Sequence, residues 1–297
     1  MTTIAFIGLG NMGGPMAANL VRAGHRVIGF DPSASAMSKA HAAGVEPAQR
    51  RDGAIAAADA VVTMLPSGRH LMGALEGEDG IAARARAGAL LIDCSTVDME
   101  SARAAHALAA RHRLKSVDAP VSGGVGGAVA ATLTFMVGGD EEAVALARPI
   151  LEAMGKRIVH CGGAGAGQAA KICNNMILGV SMIAVSEAFV LAEKLGLTHQ
   201  ALFDVASTAS GQCWSLTAYC PVPGPVPASP ANRDYAPGFA SALMLKDLHL
   251  AQAAAEGAGA FTPLGRHAAE IFETFSRDGG ADKDFSGIIE FLRAAEG

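Results

Sequence analysis

The chain has 297 residues, of which 51% are hydrophobic and 17% charged, and its 23 basic and 28 acidic side chains leave a formal net charge of -5. This length suffices for about two domains with full cores, while the composition excludes a disordered chain and argues against a nucleic-acid binder, which carries a basic excess. Five cysteines, odd in number and without a CxxC pair, point to a reducing compartment, and no basic leader precedes the first apolar run, so a cytoplasmic protein is expected.

From residue 1 to about 160, short β-branched runs alternate with alanine-rich segments of helical spacing, a pattern that predicts βαβ units and a parallel sheet. The expected strands cover residues 3–7, 27–31, 60–64, 90–93, 115–118, 134–138 and 157–160. Directly after the first comes Gly8-Leu9-Gly10-Asn11-Met12-Gly13, a GxGxxG that opens a helical run. Its first glycine permits a tight turn, its second lets backbone approach a pyrophosphate, and its third lets helix and strand pack closely. The helix start adds unpaired N–H groups and partial positive charge for the phosphates. Gly8, Gly10, Asn11, Met12 and Gly13 are therefore the expected dinucleotide-binding loop. Asp31, at the end of the second strand, stands where a carboxylate holds the adenosine ribose hydroxyls and repels a 2′-phosphate, which favours NAD over NADP.

Further along, residues 119–139 carry no charge but contain Pro120 and six glycines, so they do not read as a membrane helix. Asp118-Ala119-Pro120-Val121-Ser122-Gly123-Gly124 follows a strand and ends in small residues, a loop able to hold a carboxylate by backbone amides and the Ser122 hydroxyl, or simply to turn the chain. Beyond the glycine-rich 162–167 stretch strand signals stop, which divides the chain into a Rossmann-type domain over 1–163 and an all-helical domain over 164–297. Gly162-Gly163-Ala164-Gly165-Ala166-Gly167 lacks a Walker lysine.

The helical half should open with one long helix over 167–195, about 43 Å at 1.5 Å per residue, closed by Gly196. Residues 176–191 are apolar on nearly every face, so this helix should be buried on all sides, as the domain core and against a second subunit. A homodimer or homotetramer is expected. Lys171 and Asn175 stand at i and i+4 near the helix start and share one face. Desolvation and the positive helix end both disfavour a charged Lys171, which would move its pKa down from about 10.4 toward the range useful for proton transfer. An alcohol dehydrogenase without zinc needs such a base. The nine histidines form no HExxH pattern, and no metal site is expected.

At these residues the chain strongly resembles the β-hydroxyacid dehydrogenases, and within them the 3-hydroxyisobutyrate dehydrogenase group. The resemblance runs from Phe6–Leu20 through Met64-Leu65-Pro66, Asp93-Cys94-Ser95-Thr96, the 118–124 loop and Lys171–Asn175 to Leu245-Lys246-Asp247-Leu248. It implies NAD contacts at Leu65, Pro66, Thr96 and Lys246, substrate contacts at Ser122, Gly123 and Gly124, and catalysis by Lys171 with Asn175. Residues 210–215 and 219–224 look like the hydroxyisobutyrate enzymes, and the single tryptophan, Trp214, would give an apolar wall for a branched substrate or belong to the core. Gln212 departs from the arginine of some relatives, which leaves the pocket shape open. The implied activity is NAD-dependent oxidation of 3-hydroxyisobutyrate to methylmalonate semialdehyde, a step of valine degradation, with no nucleic-acid or membrane partner. A tartronate or succinic semialdehyde reductase, and a dinucleotide-binding sensor without turnover, are the alternatives.

Overall fold

A computed structural model describes residues 1–294, so the end of the expected 164–297 domain lies outside the described residues. The chain forms two compact units, Met1–Lys171 and Ile172–Gly297.

The first unit runs β1 (Thr3–Ile7), α1 (Gly13–Arg22), β2 (Arg26–Phe30), α2 (Ala34–Ala42), β3 (Glu46–Pro47), α3 (Arg51–Ala56), β4 (Ala60–Thr63), α4 (Gly68–Leu75), α5 (Ile81–Arg84), β5 (Leu90–Asp93), α6 (Met99–Arg111), β6 (Lys115–Asp118), β7 (Val121–Ser122), α7 (Gly124–Ala130), β8 (Leu133–Gly138), α8 (Glu141–Glu152) and β9 (Gly155–Gly162). The sheet order is β3-β2-β1-β4-β5-β6-β8-β7, with β9 also paired to β8. Strand residues alternate between two cores: Ile4, Phe6 and Val62 join α1, α2 and α8 on one face, while Ala5, Ile7 and Val61 join α3 to α6 on the other. Burial of both faces explains why these strands read as unbroken apolar runs.

The expected parallel sheet holds from β3 to β6 and then changes direction, because β8 runs antiparallel to β6 and β7. β7 continues the direction of β6 after Ala119 and Pro120, and β8 returns alongside both in one antiparallel register, with Asp118 opposite Gly138 and Val121 opposite Phe135. The parallel sense returns at β9, which pairs with β8. β3 and β7 are two residues long, below the length at which a period of two is visible in sequence.

Helix α9 (Ala166–Lys194) begins in the first unit and continues through the second. It stops at Gly196, whose φ of +79° is costly for residues with a Cβ. There follow α10 (His199–Ala206), α11 (Trp214–Thr217), α12 (Ser241–Ala258), α13 (Pro263–Phe275) and α14 (Ile288–Ala294). Within this unit Met182 and Ile183 of α9 pack with Met244, Leu248 and Phe272, and Val185, Phe189 and Val190 pack with Leu216, Cys220 and Tyr235. Close packing of α9 on α12 depends on Gly179, where a Cβ would meet Leu248 Cδ2 at 3.0 Å.

Burial of α9 on all sides is not achieved by one copy of the chain. Cys173, Ile177, Ala184, Ala188 and Leu191 are exposed, at helical spacing along one stripe. By length and composition alone α9 could also cross a membrane.

Candidate active site

The glycine loop is built as its spacing requires. Gly8 has φ +95°, and a Cβ there would run into the Met64 carbonyl; a Cβ at Gly13 would collide with the Gly8 carbonyl. A Cβ on Gly10 would meet nothing within 4 Å, so the Cα face of Gly10 is open to a ligand. Helix α1 starts at Gly13 with no side-chain cap and no acid in its first turn, which leaves its amides for a phosphate. Met12 is the residue that precedes the helix, and its partly buried side chain packs against the core.

Asp31 follows β2, and its carboxylate accepts from Leu9 N at 2.7 Å and from Ser33 N at 2.8 Å. It therefore holds the glycine loop from the neighbouring strand end. A cavity of about 570 Å³ opens here, lined among others by Leu9, Gly10, Asn11, Asp31, Ser33 and Lys39. Its volume is that of a small-molecule site. These features fit a dinucleotide: a glycine cradle, an uncapped helix start and a carboxylate at the second strand end.

Leu65 and Pro66 follow β4, and Thr96 follows β5, so both segments leave the same end of the parallel sheet as the glycine loop. A buried chain of hydrogen bonds joins them. Thr63 Oγ1 donates to Asp93 Oδ1 at 2.7 Å, Ser95 Oγ donates to the same oxygen at 2.6 Å, and Leu65 N donates to Ser95 Oγ at 2.8 Å. Burial raises the Asp93 carboxyl to about 6 in spite of these donors, with a smaller contribution from the charge of Asp118.

Ser122 lies on β7 opposite Thr134 and is partly exposed, so the segment read as a plain loop is in part an edge strand. The residues after it, Gly123 and Gly124, have φ +134° and +60° and start α7. Lys171, on the second turn of α9, is 7% exposed. Asn175, one turn further, is 2% exposed.

In the second unit Asn175 Nδ2 donates to Asp247 Oδ2 at 2.5 Å, with Asp247 buried on α12. Since that acceptor can only receive, the bond fixes which end of the Asn175 amide faces which way. Lys246 Nζ lies 3.5 Å from Asp247 Oδ1. Trp214 is half exposed, and its inner face stacks on Tyr219 with ring centroids 4.9 Å apart. Tyr219 in turn donates to the buried Asp284 and stacks on Phe285, so Trp214 is a firmly seated ring with its other face open. Gln212, also exposed, donates to Thr217.

Asp247, which the sequence points to only within the Leu245–Leu248 motif, is the partner that orients Asn175. Its signal was present: an acid amid the apolar residues of α12, where a buried charge demands a partner. Among the described residues no group of three or more His, Cys, Asp or Glu could hold a metal ion.

Comparison with known proteins agrees along the whole chain. Residues 3–163 match the model of the NAD binding domain of 6-phosphogluconate dehydrogenase, and residues 165–292 match the NAD-binding model of NADP-dependent 3-hydroxyisobutyrate dehydrogenase. A probable 3-hydroxyisobutyrate dehydrogenase of Mycobacterium tuberculosis is 58% identical over 99% of both chains. The 3-hydroxyisobutyrate dehydrogenase of Pseudomonas aeruginosa is 47% identical over the full length of both, and an NAD-dependent L-serine dehydrogenase of the same organism is 45% identical over the full length of both. The solved M. tuberculosis 3-hydroxyisobutyrate dehydrogenase with L-serine superposes with a TM-score of 0.94 at 57% identity, covering 99% of each chain. A glycine cradle, a carboxylate at the end of β2 and a buried lysine one turn before an oriented asparagine are thus carried on a sequence similar throughout to these enzymes, and the chain belongs to the 3-hydroxyisobutyrate dehydrogenase family of NAD-binding oxidoreductases.

Proposed function

We propose that this protein oxidises 3-hydroxyisobutyrate to methylmalonate semialdehyde with NAD. The observation that carries the reading is Lys171, a lysine 7% exposed and one helical turn from Asn175, whose amide is oriented by Asp247. NAD, when bound, supplies the hydride acceptor. The chain's own residues do the rest. Gly8, Gly10, Asn11, Met12 and Gly13 cradle the pyrophosphate, Asp31 takes the ribose, and Leu65, Pro66, Thr96 and Lys246 complete the coenzyme contacts. Ser122 and the amides of Gly123 and Gly124 hold the substrate carboxylate. Lys171 takes the hydroxyl proton as the alcohol becomes an aldehyde and returns it in the reverse direction. The open face of Trp214 offers apolar surface to the methyl branch.

L-serine is the second reading, favoured by the L-serine dehydrogenase relative and by the L-serine in the similar solved structure. Both substrates place a hydroxymethyl group on the carbon that bears the carboxylate. They differ in the third substituent, methyl or ammonium. Initial rates of NAD reduction with 3-hydroxyisobutyrate, L-serine, glycerate and 4-hydroxybutyrate separate the two readings, and no turnover with any of them would leave only a dinucleotide-binding role.

The same reading assigns residues 1–163 to the coenzyme and 164–297 to the substrate and to assembly as a homodimer or homotetramer. The exposed stripe from Cys173 to Leu191 supports the assembly, and coverage of that stripe by a second copy accounts for the apolar α9 without a membrane. Five cysteines without a disulfide fit a cytoplasmic site of action.

A further inference from the structure

The side chain that precedes Lys171 by one turn on the same helix face is Gln168, which is completely buried. Its two polar ends are both used, and both on one short segment: Nε2 donates to Ser95 O at 2.7 Å, and Oε1 accepts from Val97 N at 3.1 Å. These two backbone groups flank Thr96. A single amide therefore ties the first turns of α9 to the segment that follows β5.

A second contact holds the same turn. The Asp118 carboxylate, 2% exposed at the end of β6, accepts from Gly165 N at 2.8 Å and from Gln168 N at 2.9 Å, which satisfies two amides of the helix start. Asp118 is itself held by His106 Nε2 at 2.8 Å, and His106 Nδ1 meets Ser116 Oγ at 2.8 Å. At Gly138 and Gly167 the helix start and the sheet approach backbone to backbone. A Cβ on Gly138 would stand 2.7 Å from Gly167 N, and one on Gly167 would stand 2.6 Å from Asp118 O.

We infer that Gln168 is a positioning residue, which sets the register between the Thr96 coenzyme segment and Lys171, with Asp118 fixing the helix end that Gln168 spans from. The inference rests on the assignment of Lys171 as the base and Thr96 as a coenzyme contact. Because hydride and proton leave the same substrate carbon–oxygen unit, the base and the coenzyme must be held at one separation, and misplacement of about 1 Å costs on the order of 100-fold in rate. Gln168 touches neither reactant and acts through both groups.

The test uses Gln168→Met, which keeps the length and loses both hydrogen bonds, and Asp118→Asn. NADH affinity is read by fluorescence, kcat by steady-state assay, and melting temperature on the coenzyme-free protein. Gln168→Met should lower kcat about 10- to 100-fold and weaken NADH roughly 2- to 10-fold. Asp118→Asn, which touches α9 and not the Thr96 segment, should lower kcat while leaving NADH affinity unchanged. In a Lys171→Ala background Gln168→Met should cost little further kcat but still weaken NADH, since effects through a shared group are not additive. A purely structural role predicts lower melting temperatures with kcat per folded molecule intact; that result, or a full additional kcat loss in the Lys171→Ala background, overturns the inference. If Lys171→Ala alone retains turnover, the assignment of the base fails instead, and the two failures are distinct. Should Gln168→Met not fold, the split between kcat and NADH affinity in Asp118→Asn decides.

Discussion

Replacing Asp31 by asparagine tests the coenzyme assignment and the loop geometry together. In the wild type both carboxylate oxygens are engaged by backbone, one by Leu9 N at 2.7 Å and the other by Ser33 N at 2.8 Å. Leu9 sits between Gly8 and Gly10 and is 3% exposed, so its amide has little water to turn to. An asparagine offers one oxygen and one NH₂ group; either orientation sets a donor against a donor at one of the two amides. Loss of one hydrogen bond to a charged acceptor costs about 1.5–3 kcal/mol, or roughly 10- to 150-fold. That loss falls on NAD and NADP alike, because both present the same pyrophosphate to the glycine loop. A second effect separates them: removal of the negative charge relieves repulsion of a 2′-phosphate. The kcat/KM for NAD should therefore fall by up to about 150-fold, that for NADP should fall less, and the wild-type preference for NAD should narrow. Coenzyme reduction measured with each coenzyme at saturating 3-hydroxy acid gives both values. A wild type that prefers NADP, or an Asp31→Asn variant with an unchanged ratio, would refute the reasoning.

Lys171→Ala should lower kcat about 10²- to 10⁴-fold while NADH still binds, as measured by fluorescence titration. Ser122→Ala should lower kcat/KM roughly 10- to 150-fold for 3-hydroxyisobutyrate through loss of a hydrogen bond to a carboxylate, and should cost little for its methyl ester; an equal loss on both would place the carboxylate elsewhere. Asp93, held at about 6 by burial, binds its proton more tightly when folded, so its contribution to stability is present below pH 3.8 and is lost as pH rises through about 6. That rise corresponds to on the order of 3 kcal/mol, and Asp93→Asn, which keeps an acceptor for Thr63 and Ser95, should remove this part of the slope in urea unfolding followed from pH 4 to 7; superimposable wild-type and variant slopes would count against it. Ile177→Asp, on the exposed stripe of α9, should shift light scattering from a dimer or tetramer to the mass of one chain, and a wild type already monomeric would reject the assembly.

Much of the coenzyme half could be read from residue order alone. Local constraints decide it: a glycine either fits a crowded turn or does not, as at Gly8 and Gly13, and buried parallel strands announce themselves as β-branched runs. The long α9 was legible for the same reason, since an uninterrupted apolar segment closed by Gly196 has few other ways to fold. What needed the tertiary structure were contacts between residues far apart in the chain. The reversal of β8 follows from pairing partners and not from strand composition, and the edge strand at Val121–Ser122 exists only because β8 lies beside it. The exposure of Ile177 and Leu191 depends on where neighbouring helices stop covering α9, which its own sequence does not encode. Asp118, Gln168 and Asp247 acquire their roles from partners 47 to 73 residues away. A buried polar side chain advertises that it needs a partner, but only the fold decides which backbone or amide it meets, because that choice is made by the packing of the whole core around it.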